Sequence, residues 1–152
     1  MTSIVGSFPP NEISAFYDLA STIGGYVVFP ANKIDGKPTI NGARGMSALL
    51  RDRFDLALEC IRRWYDSSDS PLSEVLDRYS EFLMLFGDFT EYVDFFLLRD
   101  LIDENGKVAY WLPFSDFGKR EPLPANVDEY QKYMENASAF TNARNARINN
   151  LT

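Results

Sequence analysis

The spacing of apolar side chains along the chain predicts mostly helices. After Asn11, a candidate cap, Ile13, Phe16, Tyr17 and Ala20 recur at i, i+3, i+4, i+7, and Gly24-Gly25 closes the run. Residues 26–30, Tyr-Val-Val-Phe-Pro, are β-branched and aromatic between Gly and Pro, which predicts a short buried strand. Over 47–65 the residues Leu50, Phe54, Ala57, Leu58, Ile61 and Tyr65 share one helical face, with charges elsewhere, so an amphipathic helix is expected there. Ser70 as N-cap and Pro71 at the first helical position start the next helix, with a stripe from Leu72 through Tyr79 to Phe86, and Gly87 stops it.

Asp88 with Glu91 has the spacing of a capping box before Tyr92, Val93, Phe96 and Leu97. Residues 93–102 are apolar on nearly every side and fit either a buried helix or a strand entering a hairpin at Asn105-Gly106. Residues 108–112 form the more regular strand pattern. Asn126 and Glu129 open a long C-terminal helix with the stripe Tyr130, Tyr133, Met134, Ala137, Phe140, and Arg144 and Arg147 stand near its negative end. The expected fold is therefore a mainly helical α+β single domain over 1–152. It has four or five helices, a small sheet including 26–30 and 108–112, and a flexible N-terminal tip over 1–10.

Composition narrows the chemistry. The 152 residues contain no histidine, which removes the commonest general base and metal ligand along with Ser-His and Cys-His nucleophile systems. The single cysteine, Cys60, lies in an apolar helical run and is expected to be a buried small hydrophobe. No diagnostic catalytic signature is present, so whether the protein is an enzyme is left open, and no metal or cofactor is predicted. The net charge of −7 argues against general coating of nucleic acid and against an anionic membrane surface. With neither a signal-peptide pattern nor an apolar run of membrane-spanning length, a cytoplasmic protein is expected.

The charge is not evenly spread. Residues 33–53 hold five basic against two acidic residues, and five of the nine glycines lie between 24 and 45. Cations, accessible N–H groups and a helix start are the ingredients of a phosphate or carboxylate site, although the spacings match neither a P-loop nor a dinucleotide fingerprint. The candidate ligand-binding residues are Lys33, Asp35, Lys37, Thr39, Asn41, Arg44, Arg53 and Asp55. Arg44 and Arg53 would supply charge and fork geometry, Thr39 and Asn41 would orient the ligand, and Asp35 or Asp55 would serve as base in any reaction. The bland alternative is a glycine-containing connection in which Asp35 supports a turn and Arg44 pairs with a carboxylate. Arg51/Asp55 and Glu59/Arg63 at i, i+4 predict a salt-bridged, solvated helix face.

Residues 66–104 carry eleven acidic against two basic residues and many of the aromatics. An aromatic core stripe with an acidic solvated back is the ordinary reading. The sharper one is a docking face for a basic protein partner, or an inhibitor surface imitating the charge of nucleic acid.

Several blocks together resemble a known family. They are Gly24-Gly25 through Phe29-Pro30, Lys33-Ile34-Asp35-Gly36-Lys37, Thr39-Ile40-Asn41 and Ala43-Arg44-Gly45, then Asp52-Arg53-Phe54-Asp55-Leu56 and Leu58 to Arg63. Phe86-Gly87-Asp88-Phe89, Tyr92 to Leu97, Leu112-Pro113-Phe114 and Ala143 to Ile148 extend the likeness. The chain is similar to an uncharacterised bacterial domain family of unknown function, which implies no activity, cofactor or site residue. Two functions are carried forward: an anionic ligand, a nucleotide or short nucleic acid, bound on 33–53, and a non-enzymatic interaction module acting through 66–104.

Overall fold

The computed structural model describes residues 2–151. The backbone falls into two compact units, one drawn from Met1–Val27, Trp111–Pro113 and Leu123–Thr152, the other from Val28–Tyr110 and Phe114–Pro122. The fold is helical. Among the described residues there is no β-strand, only the isolated bridges Ile34 to Lys37 and Ile102 to Val108, and the helices exceed four or five, so the expected α+β class, its small sheet and its helix count are corrected.

In the first unit, α1 (Thr2–Val5), α2 (Pro10–Ala20) and a 3-10 turn (Ile23–Gly25) gather on the long α8 (Val127–Asn149). The side chain of Asn126 accepts from the Glu129 N–H at 2.9 Å, the cap expected from their spacing. Tyr130, Met134, Ala137 and Phe140 are buried, and Trp111 packs its ring 5.6 Å from that of Tyr133. Phe8 reaches Tyr130 at 5.4 Å. Helix α2 begins at Pro10, with Pro9 rather than Asn11 at its N-cap, because proline fits the first turn, where its missing N–H has no partner to lose.

The Gly24-Gly25 pair is there for close approach. A Cβ on Gly24 would lie 2.6 Å from the Thr141 carbonyl oxygen, and one on Gly25 would lie 2.2 Å from that of Ala20. The Gly24 N–H donates to Asn145 Oδ1 at 2.7 Å, and the buried Arg144 guanidinium donates to the Gly24 carbonyl at 3.2 Å and to that of Tyr26. Arg144 is thus turned inward as a clamp on this turn, and not outward toward the helix end. Beyond the clamp, 26–30 is irregular, with Tyr26 61% and Val28 74% exposed, in place of the buried strand expected.

The second unit is built around α4 (Phe54–Tyr65), whose run from Asp55 to Ile61 is buried on every side. It starts seven residues later than the pattern suggests. A separate short helix, α3 (Ile40–Met46), precedes it, and Arg51 and Asp52 take φ of 50° and 63°, which reverses the chain before Phe54. The expected single helix over 71–86 is two, α5 (Ser73–Arg78) and α6 (Ser80–Met84), interrupted at Tyr79. The Tyr79 hydroxyl donates to the Asn32 carbonyl at 2.7 Å. Helix α7 (Phe89–Phe95) has the expected Asp88 cap, at 2.8 Å from the Glu91 N–H. It is then stopped by Leu97 at φ 58°, so 93–102 is neither one buried helix nor a strand. Residues 108–112 contribute only Val108 to a bridge. At Asn105-Gly106 only Gly106 has positive φ, whereas Asp35 and Gly36 both do, so the conformation of a type I′ turn lies at 35–36.

Helix α4 ends in a Schellman motif: Ser68 N–H donates to the Arg63 carbonyl at 2.8 Å and Ser67 N–H to that of Trp64 at 3.1 Å. Ser67 occupies the left-handed position, φ 58°, that favours glycine. Ser67→Gly is expected to raise stability by about 0.5–1 kcal/mol, read as a higher urea midpoint at constant slope. An unchanged or lowered midpoint would contradict the strain assigned to this residue.

Candidate functional site

Charge closure decides where a ligand could find an unsatisfied group. In 33–53, Lys33, Asp35 and Lys37 stand exposed on the tight turn at 35–36. Thr39 caps α3, its Oγ1 accepting from the Gly42 N–H at 3.1 Å. Asn41 Oδ1 accepts from Arg44 Nη2 at 2.9 Å, and Arg44 Nη1 meets Asp52 Oδ1 at 2.8 Å and the Asp52 carbonyl at 3.1 Å. The structure therefore brings Asn41 and Asp52 onto the Arg44 guanidinium, with the Asp52 side chain 68% exposed and Arg44 Nε buried without a hydrogen-bond partner among the described residues.

Arg53 and Asp55 form a second closed pair inside the protein. Arg53 Nε and Nη2 grip the two Asp55 oxygens at 3.1 and 2.5 Å, and Nη1 donates to the Pro122 carbonyl at 2.9 Å. Their side chains are 4% and 0% exposed. Among the described residues, Lys33 and Lys37 are the predicted cations that carry no ion pair.

The predicted solvated face of α4 is also inverted. Asp55 faces Arg53 and not Arg51, which approaches Glu121 at 3.8 Å. Glu59 does pair with Arg63, at 3.0 Å, but its side chain is only 2% exposed. It is gripped at 2.8 and 2.7 Å by Arg62 and hydrogen-bonded by Tyr110 as well. Burial pushes the Glu59 carboxyl up, but the hydrogen bonds from Arg62 and Arg63 outweigh it and hold the group below the usual carboxylate range. Arg63 continues outward to Asp116 at 3.0 Å and lies 4.8 Å from the ring centre of Phe117. Cys60, next to this network, is buried as expected, and burial pushes its thiol up to about 12, far from a reactive thiolate.

The acidic segment keeps a charge surplus. Asp66, Glu74 and Asp94 pair with Arg62, Arg78 and Arg99, while Asp69, Asp77, Glu81 and Glu91 carry no ion pair among the described residues. A cleft of roughly 640 Å³ opens here, lined by Trp64, Tyr65, Asp69, Asp77 and Met84 among others. Trp64 Nε1 donates to Asp77 Oδ1 at 2.9 Å, and the Tyr65 hydroxyl donates to the Leu83 carbonyl at 2.5 Å, so both rings are held. Met84, Leu85 and Phe95 are 65%, 76% and 69% exposed beside it in sequence. The apolar pattern places Tyr65 on the buried helix face and leaves Trp64 out, with 66–69 a plain loop, so neither ring is marked as part of a site. The available signal was a Trp-Tyr pair running directly into Asp-Ser-Ser-Asp.

The molecule is thus a helical protein with closed basic pairs and an open acidic, aromatic cleft. It belongs to a family of unknown function, DUF6994, whose model matches residues 1–148 and bears out the family-level resemblance of its sequence. No curated protein and no solved structure matches the chain. Among the described residues no helix is long and apolar enough to cross a membrane, and no group of three or more potential metal ligands occurs.

Proposed function

We propose that the protein is an interaction module whose acidic face, 66–104, takes a basic segment of a partner protein that also carries apolar side chains. The observation that supports this best is the pairing of unneutralised Asp69, Asp77, Glu81 and Glu91 with the exposed Met84, Leu85 and Phe95 in the same stretch. Exposed methionine and aromatic surface rimmed by one sign of charge is the complement of an amphipathic basic helix. The anionic-ligand reading has less behind it, since Arg44 and Arg53 already hold Asp52 and Asp55.

A short synthetic peptide mixing Arg and Lys with Leu is the probe. Binding should weaken several-fold for each of Glu81→Lys and Glu91→Lys, and should fall steeply with salt as the screening length drops from about 10 Å at 0.1 M to about 3 Å at 1 M. Binding indifferent to both would overturn the reading. So would a nucleotide-induced thermal shift, abolished by Lys33→Ala and Lys37→Ala, in a protein that ignores the peptide.

A further inference from the structure

We infer that the cleft beside Trp64 is an arginine subsite, receiving one guanidinium from the basic partner. The inference rests on the interaction reading above and deepens it. The rings of Trp64 and Tyr65, both in the cleft lining, meet edge to face at 84° with centroids 5.1 Å apart, which sets two aromatic planes at a right-angled corner of that lining. Each wall is fixed by its own hydrogen bond, Trp64 to Asp77 and Tyr65 to Leu83, so a ligand meets a preformed surface.

The acid in this corner is available. Asp77 spends Oδ1 on the Trp64 indole, which leaves its second oxygen to accept, and Asp69 presents a carboxylate without an ion pair among the described residues. Of the nearby cations, Arg63 pairs with Glu59 and Asp116 and meets Asp69 through the backbone carbonyl, at 3.4 Å, leaving the Asp69 carboxylate without it, and Arg78 is held by Glu74 and the Pro38 carbonyl. Ser73 Oγ accepts from the Ser70 N–H and so keeps its own O–H as a donor, for which a carboxylate or water serves as acceptor.

Aromatic walls plus hydrogen-bond acceptors select among cations. A quaternary ammonium would leave the carboxylates without a donor, and a lysine ammonium is a compact, strongly hydrated point charge. A guanidinium is planar, stacks on a ring and carries donors to satisfy both carboxylates at once. The protein already contains such a contact in Arg63 over Phe117. A cleft of roughly 640 Å³ is within the usual range for a specific pocket and holds such a side chain with part of its backbone.

The test uses the basic peptide above in three versions that differ at one position, arginine, lysine or citrulline, titrated into the whole chain. The Trp64 indole N–H resonance, assigned against Trp111 by Trp111→Phe, reports the corner. The arginine peptide should bind about tenfold more tightly than the other two and shift that resonance. Asp77→Asn keeps an acceptor for Trp64 and is exposed, so it should fold normally and lose the arginine preference. Equal salt-sensitive binding of the arginine and lysine peptides with the Trp64 signal unmoved would overturn the subsite and leave the acidic face standing. Failure of all three to bind would overturn both. An arginine preference that survives intact in Asp77→Asn would also overturn the subsite.

Discussion

Asp55→Ala will cost about 3–5 kcal/mol of folding stability, because it strands the Arg53 guanidinium in the interior. The arginine is 4% exposed, two of its nitrogens face Asp55 and the third faces the Pro122 carbonyl, so water cannot take over the lost partner. Urea unfolding at neutral pH measures this directly, and Arg53→Met alone should show a loss of similar size from the buried carboxylate. The double replacement Arg53→Met with Asp55→Leu should recover much of the deficit, since an apolar pair of similar volume has no charge to desolvate. Arg53→Lys should not rescue, because one ammonium cannot span both carboxylate oxygens and reach Pro122 as well. A single-variant loss below about 1 kcal/mol would show that the pair is solvated and open to a ligand.

That pair also explains what could be read from the sequence and what could not. Local hydrogen bonds have local signatures, and the caps Asp88 and Asn126 fell where a side-chain acceptor stands three residues before a glutamate. The buried stripe of α8 was legible for the same reason: its spacing is a property of the helix alone. Charge sums were less informative. The excess over 33–53 is consumed by Arg44 with Asp52 and Arg53 with Asp55, contacts set by a chain reversal at Arg51 and Asp52 that no residue type announces.

The strand reading of 26–30 failed on a different ground. β-branched and aromatic residues favour strands when a sheet offers them a face to pack on, and Tyr26 and Val28 have none here. Helix α3 was hidden by Gly42 and Gly45, poor helix formers whose place is secured instead by the Thr39 cap and the burial of Ile40. Carboxylates usually lie in solvent, so the i, i+4 spacing places Asp55 and Glu59 on an exposed face; each is instead buried, because an arginine is near enough in sequence to come with it.

The second of those carboxylates should make stability acid-sensitive. Glu59 is ionised in the folded protein, with a pKa held below the value of about 4.3 that it takes in the open chain. The unfolded state therefore binds the proton more readily. The stabilisation is fully present above about pH 4.3 and is lost as pH falls through the lower folded value. Glu59→Gln removes the charge but keeps one acceptor for Arg62 or Arg63, whose side chains are 27% and 19% exposed and partly solvated. At pH 7 the variant should be less stable by about 2–3 kcal/mol, less than for a wholly enclosed pair. In matched urea titrations at pH 7 and pH 3 the gap between the two proteins should narrow at the lower pH, because acid removes from the native chain what the substitution has already removed from the variant. An equal gap at both would mean that Glu59 is held by packing and not by its two arginines.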